Sequence, residues 1–266
     1  MRNIRIMGDY FMRKKLTVIL THLLLALRFL TVISVRSTVE ITSKALARSM
    51  AWFPLVGLLI GLILGGIWYA MSFVFPPLLV SLLIVMTLAI ITRGLHLDGL
   101  SDTLDGLGGG YTKERRLEIM KDSHIGAFGV IGIIFAILMK MMAISELPET
   151  SRLLVLVIFP MMSRFSMVLV AWKCPYARKE GGLGKDYVES VDSRAVIFAG
   201  ASALVVSLLL VSYWGLMLFL SVVFISLILA WFFLRALGGV TGDVLGAVNE
   251  LTEISVLVLC LVLPIT

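Results

Sequence analysis

The chain has 266 residues, of which 59% are hydrophobic and only 15% are charged, and its formal net charge is +6. A soluble domain carries roughly 25% charged residues, so this composition excludes an ordinary soluble protein. Long apolar runs without strand-like alternation predict an all-α, polytopic integral membrane bundle. The basic excess is explained by the positive-inside bias rather than by nucleic-acid binding. Two distant cysteines, Cys174 and Cys260, provide neither a disulfide framework nor a zinc motif.

Most of the apolar runs approach the roughly 20 residues that span a bilayer. They are Leu16–Ser34, Met50–Phe75, Pro77–Thr92, Ile125–Leu147, Leu153–Trp172, Ala195–Tyr213, Gly215–Leu234 and Leu251–Ile265. The first run contains His22 and Arg28, and a central Arg is costly in hydrocarbon. It is therefore predicted to be interfacial, re-entrant or packed inside the bundle, which leaves about seven full spans in one domain over residues 1–266.

Lys and Arg concentrate in residues 35–49, 93–124 and 173–194, whereas the turns near Pro76–Pro77 and Tyr213–Trp214 contain neither. The positive-inside rule places the basic segments in the cytoplasm and predicts a multi-pass protein of the cytoplasmic (inner) membrane. Gly238–Glu250 then emerges on the same side. Glycines and charges are therefore predicted to form one site that faces the cytoplasm.

The segment from Arg93 to Gly106 carries three carboxylates, Asp98, Asp102 and Asp105, at spacing i, i+4, i+7. On a helix they fall within roughly 60° of one another, where like charges repel. A hard divalent cation such as Mg²⁺ removes that repulsion, because it prefers oxygen ligands and bridges carboxylates to phosphates. The alternative is a solvated acidic face at the membrane surface. His96 could serve as general base, phosphate donor or metal neighbour, or be a hydrogen-bonded structural group.

A glycine-rich turn follows, and Thr112–Ser123 is predicted to form a short amphipathic helix with Thr112 as its N-cap. Glu118 and Asp122 are four residues apart and would share a face of that helix. Its basic side chains are candidates for neutralising phosphate oxygens; they are Arg115, Arg116 and Lys121. A solvated helix lying on the membrane is the alternative.

A second pattern of this kind lies in Gly238–Glu250, where glycines precede a helix predicted to start with Thr241 and Asp243. Asp243 and Glu250 are two helical turns apart on one face, and Gly246 between them allows a backbone or a ligand to approach closely. Glu250 stands at the mouth of an apolar run, so its charge needs a metal ion or a basic residue beside it.

These segments together resemble the cobalamin synthase family, adenosylcobinamide-GDP ribazoletransferases. The resemblance rests on His96-Leu-Asp98-Gly99-Leu-Ser-Asp102-Thr-Leu-Asp105-Gly106, Glu118-Ile-Met-Lys121-Asp122-Ser123, Tyr176-Ala-Arg178, Gly238-Gly-Val-Thr241-Gly242-Asp243-Val-Leu-Gly246 and the early Phe53-Pro54 segment. The motifs occur in the family's order over most of the chain. One departure is His124, which stands where the family commonly has Arg after Asp-Ser.

The resemblance implies a Mg²⁺-dependent phosphotransferase of a multi-helix membrane fold. A hydroxyl of α-ribazole, or of its 5′-phosphate, would attack the cobinamide-side phosphorus of adenosylcobinamide-GDP, and GMP would leave. The implied catalytic and metal residues are His96, Asp98, Asp102, Asp105 and Asp243. The substrate-binding residues within the matching motifs are Glu118, Lys121, Asp122, Tyr176, Arg178 and Thr241. Arg115, Arg116 and Glu250 lie outside those motifs and are predicted to bind substrate from their charge and position.

Two other function classes compete with the enzyme. An ion- or proton-coupled transporter would also use membrane carboxylates and Gly-broken helices, but its acids would lie at the midplane and its halves would show a hydropathy repeat. A scaffold subunit would not need the dense acidic clusters. The number of metal ions, the preferred base of the acceptor and any homo-oligomerisation are left open, and contact with membrane lipid follows from the fold.

Overall fold

The structure is a computed structural model that describes residues 17–33, 42–182 and 184–265. The described residues form helices joined by short loops. They are α1 (Thr17–Leu30), α2 (Ser43–Ser49), α3 (Phe53–Met71), α4 (Pro77–Ile91), α5 (Leu95–Gly109), α6 (Lys113–Ile119), α7 (Ala127–Glu146), α8 (Glu149–Lys173), α9 (Lys185–Ser190), α10 (Ser193–Val211), α11 (Tyr213–Leu237) and α12 (Gly242–Val262). A 3₁₀ turn, Met50–Trp52, joins α2 to α3.

The predicted membrane bundle is confirmed. Six helical segments in the described chain are long and apolar enough to span a bilayer: Ser43–Met71, α7, α8, α10, α11 and α12. The pair α4 and α5 gives a seventh if it is counted as one span, although the two helices are bent by 88°. The first apolar run, Leu16–Ser34, is described only over residues 17–33, where it contains α1, and its predicted interfacial, re-entrant or packed placement stays a prediction.

Helix α8 lies at the centre of the bundle, and 83% of its apolar window is buried. Helix α3 packs directly on its backbone through two glycines. A Cβ atom at Gly57 would lie 2.3 Å from the carbonyl oxygen of Pro160, and one at Gly61 would lie 2.3 Å from that of Val157. Small residues of this kind allow close helix packing in membranes, where the lipid gives no hydrophobic drive for association.

The chain turns sharply between α4 and α5 at Arg93 and Gly94, whose φ angles are 54° and 67°. Left-handed backbone at consecutive residues ends α4 and re-aims the chain. Helix α5 then crosses α12 at Gly99 and Gly246. A Cβ at Gly99 would lie 2.6 Å from the carbonyl oxygen of Asp243, so only glycine lets the two helices approach this closely.

Two of the predicted boundaries that differ from the structure affect the site. Helix α6 starts at its predicted N-cap, because the Thr112 hydroxyl accepts from the Arg115 N–H at 3.2 Å, but it ends at Ile119 rather than at Ser123. Asp122 therefore lies beyond the helix, and the prediction that it shares a helical face with Glu118 is wrong. The last span starts at Gly242 instead of Leu251, because the helix capped by Thr241 is continuous with the apolar run.

Candidate active site

The acids of α5 lie beside the first turn of α12. Asp98, on the exposed side of α5, and Asp243 line one cavity together, and the negative charges of Asp98, Asp243 and Asp105 all act on Asp102. The close contact at Gly99 brings these carboxylates together from the two helices. The predicted acidic cluster therefore exists, and it includes Asp243, which sequence spacing alone could not place beside α5.

Asp105 has a separate structural task. Its two carboxylate oxygens accept hydrogen bonds from the backbone N–H groups of Gly126, at 2.8 Å, and Gly129, at 2.9 Å. These are free N–H groups at the start of α7, where a negative charge also interacts favourably with the helix dipole. The side chain is 8% exposed. Asp105 is thus a cap for α7, and its predicted role as a metal ligand gains no support from this geometry.

Arg178 connects three of the predicted segments. Its Nη2 atom donates to Asp243 Oδ2 at 2.7 Å and to the carbonyl oxygen of Met120 at 3.2 Å. Thr241 caps α12 by accepting from the N–H of Val244, and its hydroxyl lies 3.3 Å from the same Asp243 oxygen. The segments around residues 93–124, 173–194 and 235–250 therefore do meet at one place, as predicted from their charge.

Backbone pairing fixes the loop that carries Arg178. The Ala177 N–H donates to the Val240 carbonyl at 2.9 Å, and the Val240 N–H donates to the Pro175 carbonyl at 2.9 Å. A Cβ at Gly239 would lie 2.3 Å from the Pro175 oxygen, which explains a glycine at this contact. Tyr176, between the paired residues, is half-buried, and burial raises the pKa of its hydroxyl.

A basic groove of about 650 Å³ lies beside this junction. Five cationic side chains and three carboxylates line it. The cations are Lys113, Arg115, Lys121, Arg178 and Lys179, and the acids are Glu114, Glu118 and Glu180. Three of the residues predicted to neutralise phosphate thus share one groove. Arg115 pairs with Glu118 at 2.7 Å, and Lys121 pairs with Glu180, whose carboxyl pKa is lowered by that contact.

Two other predicted substrate-binding residues are engaged by the protein itself. Arg116 donates from Nε to the Gly110 carbonyl at 2.8 Å and from Nη1 to the Ala236 carbonyl at 3.0 Å, which ties α6 to the end of α11. Asp122 accepts from the backbone N–H of His124 at 3.0 Å and contacts its ring Nδ1 at 2.7 Å. These hydrogen bonds lower the pKa of the Asp122 carboxyl.

The comparison with protein families decides which group the chain belongs to. A family model described as Cobalamin-5-phosphate synthase matches residues 22–261. The chain belongs to the cobalamin-5-phosphate synthase family. The match covers α5, the basic groove and the start of α12, so every segment of the site lies within it.

Several curated relatives carry the name adenosylcobinamide-GDP ribazoletransferase. The protein of Syntrophobacter fumaroxidans is 42% identical, over 89% of this chain and 96% of its own length. That of Geotalea daltonii is 40% identical, over 86% and 92%, and that of Acetivibrio thermocellus is 35% identical, over 90% and 97%. No solved structure matches the chain.

The chain also contains a buried ion network that was not recognised from the sequence. Lys140 Nζ lies 2.6 Å from Glu250 and 2.9 Å from Glu253, and Arg164 pairs with Glu253. All four side chains are at most 4% exposed. The missed signal was a single Lys in the α7 run and a single Arg in the α8 run, because ionisable residues inside a span usually have a partner or a function.

The network explains Glu250. Its cationic neighbour is Lys140, from the middle of α7, so the charge is offset within the protein. The carboxylate is closed off from solvent, and its predicted contact with substrate gains no support. His96 lies near this network, close enough for the charges of Arg164, Glu253 and Lys140 to act on its ring. Neither ring nitrogen of His96 has a hydrogen-bond partner among the described residues.

The predicted Mg²⁺ site would have few protein ligands. Within the described ranges, no three His, Cys, Asp or Glu side chains converge as a ligand set. Mg²⁺ often takes only one or two protein carboxylates and completes its shell with water and substrate phosphates. Asp98 and Asp102 supply the right donor atoms next to Asp243. The donor chemistry therefore fits Mg²⁺, whose binding stays a prediction.

Proposed function

We propose that this membrane protein transfers the phosphocobinamide group of adenosylcobinamide-GDP to a hydroxyl of α-ribazole, or of α-ribazole 5′-phosphate, with release of GMP. The single observation that carries the proposal is the convergence of Asp98, Asp102, Asp243 and Arg178 beside a basic groove. Phosphoryl transfer depends on such positioning and charge neutralisation more than on covalent chemistry. The printed names of the relatives support the choice of substrates.

The bond changes assign tasks to the two halves of the site. The acceptor oxygen forms a bond to the phosphorus on the cobinamide side, and the bond from that phosphorus to the bridging oxygen breaks, so that GMP leaves. The hydroxyl proton passes to a carboxylate or to solvent. Lys113, Lys121 and Lys179 in the groove hold the negative charge of the diphosphate, and Arg178 can donate further N–H groups to a phosphate oxygen while it holds Asp243.

A Mg²⁺ ion held here would supply positive charge to offset the charge that develops on the phosphate oxygens. Asp98 and Asp102 are the residues we assign to it. Asp243 contributes further negative charge and keeps Arg178 pointed at the site. Asp105, as the cap of α7, holds α5 and α7 together beneath the acids.

We also assign the groove and the acidic cluster to the cytoplasmic face of the inner membrane. The support is the charge of the loops, because Lys and Arg are concentrated in residues 93–124 and 173–194, whereas the turns near Pro76–Pro77 and Tyr213–Trp214 contain neither. A water-soluble nucleotide-bearing substrate is reached most directly from that side. An ion-coupled transporter is not favoured, because the relatives carry the name of a transferase.

The decisive experiment is a two-substrate assay with purified protein in nanodiscs. We expect GMP release that requires both adenosylcobinamide-GDP and the acceptor, and that stops when EDTA removes divalent cations and resumes with added Mg²⁺. GMP release without an acceptor would identify a hydrolase. No release under any condition would contradict the proposed transfer.

A further inference from the structure

A small cavity lies beside the acidic cluster and is lined by a different set of residues from the basic groove. Asp98, His96 and Asp243 form one end of it, and its volume is about 90 Å³. Its lining also includes residues of α1, α3 and α9. This cavity therefore touches the same carboxylates as the proposed chemistry, but it shares no lining residue with the groove that holds the phosphate-binding cations.

Three aromatic rings make the wall of this cavity. The centroid of Phe29 lies 4.4 Å from that of Tyr187 and 5.8 Å from that of Phe53, and the centroids of Phe53 and Tyr187 are 6.1 Å apart. Phe53 is fully buried and Tyr187 is 5% exposed, so the wall is held by packing. Clustered aromatic rings are a suitable surface for a planar apolar ring, which they contact by stacked or edge-to-face packing.

The polar end of the cavity contains a hydrogen-bonding group without a partner. His96 is 1% exposed, and its Nδ1 and Nε2 atoms have no partner among the residues described. Leaving a buried polar group unpaired is unfavourable, so a ligand that hydrogen-bonds to it gains affinity. The site thus combines an aromatic wall with one imidazole, next to carboxylates on α5 and α12.

We propose that this cavity receives the base of the acceptor nucleoside. The inference rests on the proposed function, which supplies an acceptor whose base is a planar nitrogen heterocycle. The ring enters edge-first along Phe29 and Tyr187, and His96 forms a hydrogen bond with a polar atom of the nucleoside. A pocket that encloses a whole small ligand measures roughly 300–1,000 Å³. This cavity measures about 90 Å³, so it admits the edge of a base and not the sugar. The ribose stays outside, with its hydroxyls beside Asp98 and Asp243.

The arrangement separates the two substrates. The nucleotide-bearing donor occupies the basic groove, and the acceptor base occupies the aromatic cavity, with the acids of α5 and the start of α12 between them. In-line displacement requires the attacking oxygen and the leaving group on opposite sides of the phosphorus, and two separate pockets joined by the Arg178–Asp243 contact would let acceptor and donor approach it separately. His96 is then a substrate-binding residue for the acceptor.

The test measures KM for each substrate separately in purified protein. We expect Phe29→Ala and His96→Gln to raise KM for α-ribazole at least tenfold and to leave KM for adenosylcobinamide-GDP within twofold. Phe219→Ala is the matched control and should change neither constant. The Phe219 ring stacks on Phe165, with 5.0 Å between the ring centroids, and it does not line this cavity. Direct titration of α-ribazole into each variant by calorimetry should show the same loss of affinity without turnover.

A cavity-filling variant protects the test against misfolding. Leu95 lines the cavity and is 37% exposed, so Leu95→Trp can be accommodated at its rim and should block the acceptor. Unchanged KM for α-ribazole in Leu95→Trp and in His96→Gln, in protein that still releases GMP, would overturn the cavity assignment alone. Absence of GMP release by the parent protein would instead contradict the proposed function, so the two failures are distinguishable.

Discussion

The Nη2 atom of Arg178 lies 2.7 Å from Oδ2 of Asp243, and this contact joins a loop to the first turn of α12 at the edge of the acidic cluster. The two side chains are 13% and 26% exposed, so the pair is neither dry nor fully solvated. A half-buried, charge-assisted contact of this kind positions both groups and still leaves Arg178 N–H groups free for a phosphate. The first prediction concerns this pair.

Arg178→Lys and Asp243→Asn should each lower kcat/KM by about 100-fold, because each removes one member of a contact that acts as a unit. The double variant should be little worse than either single variant, since effects of residues in direct contact are not additive. Measuring kcat/KM for the parent, the two single variants and the double variant completes a double-mutant cycle. Lys185→Gln, which alters a cation that lies 3.9 Å from Glu189 on α9, is the control. Strictly additive losses would show that Arg178 and Asp243 act independently.

Asp98→Asn and Asp102→Asn should abolish transfer while the protein remains folded and inserted, because the amide keeps the size and removes the charge that holds a cation. Activity should be measured over a wide range of Mg²⁺ concentrations. Asp186→Asn, on the exposed surface of α9, should behave like the parent. Near-normal activity of Asp98→Asn across that range would exclude Asp98 as a ligand.

Asp105→Asn should mainly cost stability. An amide has one acceptor oxygen, whereas both carboxylate oxygens accept N–H groups of α7, so one hydrogen bond and the favourable charge at the helix start are lost. We expect a loss of about 1 to 2 kcal/mol, seen as a lower Tm, and an unchanged dependence of the remaining activity on Mg²⁺. A Mg²⁺ requirement shifted to higher concentration, with Tm unaltered, would make Asp105 a ligand after all.

Glu250→Gln should destabilise the bundle by about 3 kcal/mol, because it leaves excess positive charge among buried groups. Added Mg²⁺ should not restore activity, since the cation beside Glu250 is Lys140. The double variant Lys140→Met/Glu250→Gln keeps Glu253 with Arg164 and should recover part of the lost Tm. Rescue of the single variant by Mg²⁺ would contradict this interpretation and place a metal ion near Glu250.

Cysteine labelling tests the orientation of the site. In a background without Cys174 and Cys260, single cysteines at Thr112, Lys179 and Arg235 lie on exposed positions of the three segments. A membrane-impermeant reagent added to intact cells should label none of them, and all should react in inverted vesicles. Thr241 is fully buried and is unsuitable as a labelling position. Labelling of one position from outside would contradict a single cytoplasmic site.

Local sequence patterns predicted the spans, the Thr112 cap, the helix start at Thr241 and the acidic face of α5, because these depend on residues within one or two helical turns of each other. The convergence of the three charged segments was also predictable, from loop charge. The partner of each charge was not. Lys140 and Glu250 are separated by 110 positions, and nothing in a single sequence links them.

The same limit explains Asp105 and Arg116. Spacing assigned Asp105 to the metal face of α5, but its oxygens face free N–H groups of a helix that starts about 20 residues later. Arg116 was assigned to phosphate with its neighbours, yet its guanidinium binds the carbonyl of Ala236 from a distant helix end. Local pattern shows that a charge needs a partner, and only the packing of helices shows which partner it finds.

The four-residue ion network has a consequence for an enzyme that works in an energised membrane. Lys140 and Arg164 together carry the charge that Glu250 and Glu253 balance, so as ions they sum to zero. The transmembrane potential acts on net charge, at about 2.3 kcal/mol per elementary charge for each 100 mV. A balanced group inside the bundle feels no net force along the membrane normal. Without Lys140 and Arg164, the two glutamates of α12 would instead transmit the force of the membrane potential to the helix that carries Asp243.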